Sequence, residues 1–161
     1  MNFLTSLQEN PIGAWVLSSD YGYYICLVGH AIGMGVVVGA VLMLCIKVLG
    51  FSKEQPLLAF EPLFRVAWAG FILNAATGLA LFMANAPNLA KNPPFLIKIS
   101  FIALGGVFIG LLWRRLMEER AVVIDTGGQA SSPAKALAAF TLAFWLLAIM
   151  AGRLIAYTIE Y

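Results

Sequence analysis

The chain has 161 residues, of which 61% are hydrophobic and 11% charged, with a formal net charge of +2 at pH 7. Soluble domains carry about a quarter charged residues, so this composition excludes a globule that covers itself with polar side chains in water. The length allows one domain at most. No segment alternates polar and apolar residues, which sets aside a membrane β-barrel. Helices, which satisfy their own backbone groups in lipid, remain.

The first twenty residues lack the basic start of a secretory signal and contain Glu9, Pro11 and Asp20. Phe3, Leu4, Leu7, Ile12, Trp15 and Val16 form an apolar face. The segment reads as a short helix lying on the membrane surface and interrupted at Pro11. A membrane-spanning helix needs about 20 apolar residues, because the hydrocarbon layer is about 30 Å thick and the helix rises about 1.5 Å per residue. Four stretches qualify, from about Tyr21 to Ile46, Leu63 to Ala84, Phe95 to Trp113 and Leu137 to Ile159. Short connections favour an all-α, antiparallel four-helix transmembrane bundle, a single domain over 1–161.

Asn92-Pro93-Pro94 ends one loop and starts span three. The stretch from Asp125 to Pro133 (DTGGQASSP) reads as the loosest loop. Gly29 and Gly33, Gly35 and Gly39, and Gly106 and Gly110 are small residues spaced by four, which permits close helix packing inside the bundle. Cys26 and Cys45 lie about 28 Å apart on one helix and cannot pair.

One side of the membrane receives Lys47, Lys53, Arg65, Arg114, Arg115, Arg120 and Lys135, and the other only Lys91, Lys98 and Arg153. The positive-inside rule places the first set in the cytoplasm, so both termini are expected on the outer, periplasmic face of a bacterial inner membrane. Tyr21, Tyr23, Tyr24, Tyr157 and Tyr161 make an outer aromatic belt, and Trp68 and Trp113 mark the inner one.

No P-loop, dinucleotide fingerprint, HExxH or serine elbow is present, so hydrolysis has no visible machinery and no enzyme activity is indicated. Acidic residues lie at or outside the span ends, which argues against a carboxylate-based ion pump. Nucleic acid is not an expected partner; the bilayer is, with a homodimer or a larger membrane complex beside it.

Polar side chains inside lipid are costly and ask for a reason. His30, the single histidine, lies in span one, with Cys26 four residues before it and Met34 four after. Thiol, imidazole and thioether are soft ligands suited to Cu(I), although Cys and Met are also ordinary core fillers. Asn74 and Thr77 sit mid-way along span two, and Met83 at its end. Lys98 lies early in span three, and Met150, Arg153 and Tyr157 late in span four. In an antiparallel bundle these residues share the outer half. They form either a polar pocket open to the outside or a set of buried hydrogen bonds that locks the helices.

Haem suits the inventory, with His30 on the iron, Met83 or Met150 as a sixth ligand, and Arg153 or Lys98 opposite the propionates. Asn74 and Tyr157 complete that set. Copper held by His30, Cys26 and Met34 is the competing reading, and an accessory subunit without a cofactor is the third.

Four motifs also resemble a known group. They are YYICLVGHAIGMG on span one, WAGFxxNxxTG on span two, NPPFLIK on span three and AGRLIAY on span four. Together they resemble a group of bacterial four-helix membrane proteins similar to the membrane domain of the copper-resistance CopD proteins and, more distantly, to four-helix b-type cytochromes. The resemblance covers nearly the whole chain and falls on His30, Trp68, Asn74, Thr77, Lys98, Arg153 and Tyr157. Its CopD side implies copper handling and its cytochrome side implies electron transfer. Lacking further histidines, the chain departs from the cytochrome pattern, and a self-contained two-haem site is out of reach.

Overall fold

The computed structural model describes residues 3–51, 61–119 and 130–158. Seven helices and no strand occur among them: α1 (Phe3–Gln8), α2 (Pro11–Ser18), α3 (Gly22–Leu49), α4 (Glu61–Ala84), α5 (Ala86–Leu89), α6 (Pro93–Glu118) and α7 (Ser132–Thr158). Helices α3, α4, α6 and α7 are each long and apolar enough to cross a membrane. The protein is therefore an all-α membrane protein with four candidate transmembrane helices. Lys53, Arg120, residues 125–129, Ile159 and Tyr161, which entered the expectations above, lie outside the described residues.

Local chemistry sets the helix ends. Asn10 caps α2 by accepting a hydrogen bond from the Ile12 amide at 3.1 Å, with Pro11 in the first turn. The expected interruption at Pro11 thus divides the segment into two short helices, α1 and α2. Asn92 caps α6 in the same way, its Oδ1 accepting from the Phe95 amide at 3.1 Å. Asn92 Nδ2 donates to Thr158 Oγ1 at 2.9 Å, tying the start of α6 to the end of α7. At the end of α3, Gly50 takes the left-handed conformation (φ 99°). Its amide reaches the Lys47 carbonyl, and the Phe51 amide reaches that of Ile46. This Schellman closure favours glycine. α6 runs past the apolar stretch to Glu118, where Arg114 pairs with Glu118 one turn on at 3.1 Å.

Packing is uneven. α3 lies against both α4 and α7, and α6 lies against α7, but α4 and α6 do not run against each other. The main core fills the half nearer Glu119, where Val41, Leu44 and Cys45 of α3 meet Leu112 and Leu116 of α6 and Ala138 of α7. At the opposite end, which carries α5, Val16 of α2 is fully buried against Cys26 and Ala84. So α2 packs onto the bundle through Val16, while Trp15 and Ile12 stay exposed.

Glycines split into two kinds. A Cβ on Gly33 would stand 2.6 Å from the Asn74 amide nitrogen, and one on Gly70 would stand 2.7 Å from Val36 Cγ1. Side chains at both positions are excluded by the close approach of α3 to α4. Gly29 also faces this seam, with Thr77 Cγ2 at 3.0 Å from a Cβ there. Gly35, Gly39, Gly106 and Gly110 have nothing within 4 Å, so packing inside the bundle does not use those two pairs.

Candidate polar site in the α5 half

His30 lies about 12 Å along α3 from its start, by helix rise. Its ring rests on Gly78 of α4, where a Cβ would come within 2.8 Å of Cε1. Nδ1 lies 2.9 Å from the Asn74 carbonyl oxygen. A carbonyl only accepts, so Nδ1 carries the proton and donates. Asn74 Nδ2 returns a bond to the His30 carbonyl at 2.7 Å. This reciprocal pair crosses the α3–α4 seam one turn from Gly33, and the missing Cβ there lets the backbones come close enough to make it.

With the proton on Nδ1, Nε2 holds a lone pair, and Lys98 Nζ of α6 donates to it at 3.2 Å. The Lys98 stem runs over Gly152 of α7, where a Cβ would stand 3.4 Å from Cδ. His30 of α3, Asn74 and Gly78 of α4, Lys98 of α6 and Gly152 of α7 thus build the site. Among the described residues no carboxylate lies within 4.0 Å of the Lys98 ammonium. No described carboxylate balances its charge, in a part of the chain where lipid offers no compensation.

Other expected site residues go elsewhere. Thr77 Oγ1 turns back onto its own helix, donating to the Leu73 carbonyl at 2.6 Å. Met83 is 8% exposed and lies toward the α5 end, its carbonyl beside Gly13. By helix rise it stands about 7 Å beyond Gly78, away from the imidazole. Met150 is 63% exposed, Tyr157 is 85% exposed and Arg153 also points outward. Neither Met83 nor Met150 is therefore placed as a second ligand to match His30, and Arg153 is exposed while Lys98 meets the imidazole. Cys26 is buried against Val16 and Ala84, and Met34 is half-buried on α3.

Sequence reading missed the supports. Gly78 and Gly152 supply the surfaces on which the imidazole and the lysine stem lie. It also missed a slit. α4 and α6 meet through two aromatic pairs, Phe82 on Phe95 (centroids 5.3 Å apart, interplanar angle 9°) and Phe64 on Trp113 (3.9 Å). Positions 64 and 82 are 18 residues apart, as are 95 and 113, and 18 residues make five turns at about 3.6 residues per turn. Both pairs therefore fall on one face of each helix, about 27 Å apart by rise. The available signal was this repeated aromatic spacing. Between the pillars the helices stand apart. A narrow apolar crevice, lined by Ala40, Val41 and Leu44 of α3, Leu63, Phe64 and Ala67 of α4 and Ile109 of α6, lies in the half nearer Glu119.

A second polar cluster closes the opposite end. The Glu119 carboxylate accepts from the Ser131 amide at 3.1 Å and from the Ser131 hydroxyl, and pairs with Arg115 Nε at 2.7 Å. Burial alone would raise its pKa. The Ser131 bonds and the Arg115 charge outweigh that and hold it below its ordinary value. Ser131 Oγ also accepts from the Ala134 amide at 3.4 Å, so this latch joins the end of α6 to the start of α7.

No protein-family description, curated protein or solved structure matches the chain.

Proposed function

We propose that the protein is a membrane-embedded haem-binding protein with an electron-transfer role, its site in the periplasmic half of a bacterial inner membrane. The observation that carries this reading is the His30–Lys98 pair. A ligating histidine normally donates its other ring N–H to a carbonyl or carboxylate, which fixes the tautomer. His30 does so through Nδ1 and keeps its Nε2 lone pair directed at Lys98. The unbalanced ammonium beside that nitrogen favours an anionic ligand. It opposes Cu(I), whose charge would be set against the ammonium, so the copper reading lacks support at His30.

The residues present fit a haem with one protein ligand. Lys98 would give up its bond to Nε2 and pair with a propionate, and the freed Nε2 would hold the iron. They do not fit a six-coordinate centre within one chain, because Met83 and Met150 lie elsewhere. Bound haem would supply a one-electron carrier. The chain's own part is to fix the imidazole through Asn74 and Gly78 and to provide the compensating charge.

A second reading has its own observation. The reciprocal His30–Asn74 bonds and the Lys98 bond join α3, α4 and α6, as a helix-locking network in an accessory subunit would. The experiment that separates the two is an absorption spectrum of detergent-purified protein before and after dithionite, with metal analysis of the same sample. A Soret band that shifts on reduction supports haem. A colourless, metal-free sample favours the locking role, and near-stoichiometric copper would return the CopD-like reading.

A further inference from the structure

We infer that the ligand of the His30–Lys98 site arrives sideways from the bilayer, through the slit between α4 and α6, rather than from water at the α5 end. The occupant is an amphiphile dissolved in the membrane that carries an anionic group for Lys98. This rests on the reading of the pair as a ligand site, and haem with its propionates is the case proposed above.

Three observations converge. First, Phe82 stacks on Phe95 between Lys98 and the α5 end, one turn from Lys98, and closes the short path to water. Phe64 on Trp113 closes the other end. Second, small residues wall the slit between these pillars. Ala75 lies 11 residues after Phe64 and Gly106 lies 11 after Phe95, so each falls within about 20° of its pillar's face. Ala75 is exposed, and nothing stands within 4 Å of a Cβ on Gly106. Third, the floor of the slit on the α5 side holds the ammonium that has no carboxylate within 4.0 Å among the described residues. An apolar slit with one uncompensated cation on its floor matches an amphiphile in charge as well as in polarity.

The test uses the full chain in lipid vesicles and two amine-reactive succinimidyl esters, one with a long acyl chain that dissolves in the bilayer and one sulfonated and confined to water. Labelling of Lys98 is read by mass spectrometry against Lys91, which is exposed at the α5 end. The expected result is at least tenfold preference of Lys98 for the acyl ester, while Lys91 reacts with both. Gly106→Leu, which fills open space and leaves the packed seams alone, is expected to cut Lys98 labelling at least tenfold. Phe95→Ala, by opening the α5 end, is expected to admit the sulfonated ester. Equal labelling of Lys98 by both esters in the unmodified protein would overturn the inference. So would labelling unaffected by Gly106→Leu, or a Lys98 that neither ester reaches. A missing Soret band in the same preparation would remove the haem reading without changing these ratios.

Discussion

α4 meets two of the other long helices in opposite ways. Toward α3 it offers Gly70 and receives Gly33, and the backbones meet so closely that neither position has space for a methyl group. Toward α6 it offers Phe64 and Phe82, which hold the helices apart at two points and leave a slit between. In lipid there is little hydrophobic force to press helices together, so side-chain size at the seam sets the distance. The glycine seam buys the short His30–Asn74 bonds, and the aromatic pillars keep a way open to them. One helix can thus pack tightly on one side and stand off its neighbour on the other.

The largest effect is expected where the seam is tightest. Gly33→Val should destabilise the fold by about 3 kcal/mol or more, because the added atoms meet backbone that cannot turn aside. Reversible unfolding in mixed micelles would measure it, and a loss under 1 kcal/mol would mean that the seam is looser than described. Asn74→Leu comes next, at about 1–2 kcal/mol, since it removes one interhelical bond from the His30 carbonyl and disturbs the carbonyl partner of Nδ1. On the open side Phe82→Leu should cost only about 0.5–1.5 kcal/mol, the usual worth of an aromatic pair. Gly35→Ala and Gly106→Ala should change stability by less than about 0.5 kcal/mol, as surface substitutions do. A large loss at either would show that a neighbour covers that face.

The latch at Glu119 sharpens the contrast at the other end of the bundle. Its carboxylate is held below the ordinary value near 4.5, so the stabilisation is fully present above that pH and is lost as pH falls through the lower, folded value. Hydrogen exchange at the Ser131 amide should therefore be protected at neutral pH and accelerate beyond its intrinsic trend in acid. Glu119→Gln should flatten that dependence.

Much of the frame was legible in the sequence because hydropathy and length report directly on spanning helices. Asn92 and Pro93 announced the start of α6, and each of the four apolar stretches coincides with one of α3, α4, α6 and α7, Tyr21 standing one residue before α3 and Ile159 lying outside the described residues. The site was legible only in part. Residue type and depth brought His30, Asn74 and Lys98 together correctly, since an antiparallel bundle matches depths. Met150, Arg153 and Tyr157 share that depth but are exposed, because depth says nothing about the angle at which a side chain leaves its helix. Gly78 and Gly152 were invisible as supports, since a glycine that gives way to a neighbour looks like any other until the neighbour is placed. The two surviving readings of the polar set, pocket or lock, share the same bonds, which is why only a ligand separates them.

The measurement that bears most directly on the central claim is haem content per chain in the unmodified protein and in His30→Ala, purified side by side in mild detergent. Near-stoichiometric haem in the first and its loss in the second, with helical content unchanged by circular dichroism, is the expected result. Equal haem in both, or none in the unmodified protein, would contradict a ligand role for His30.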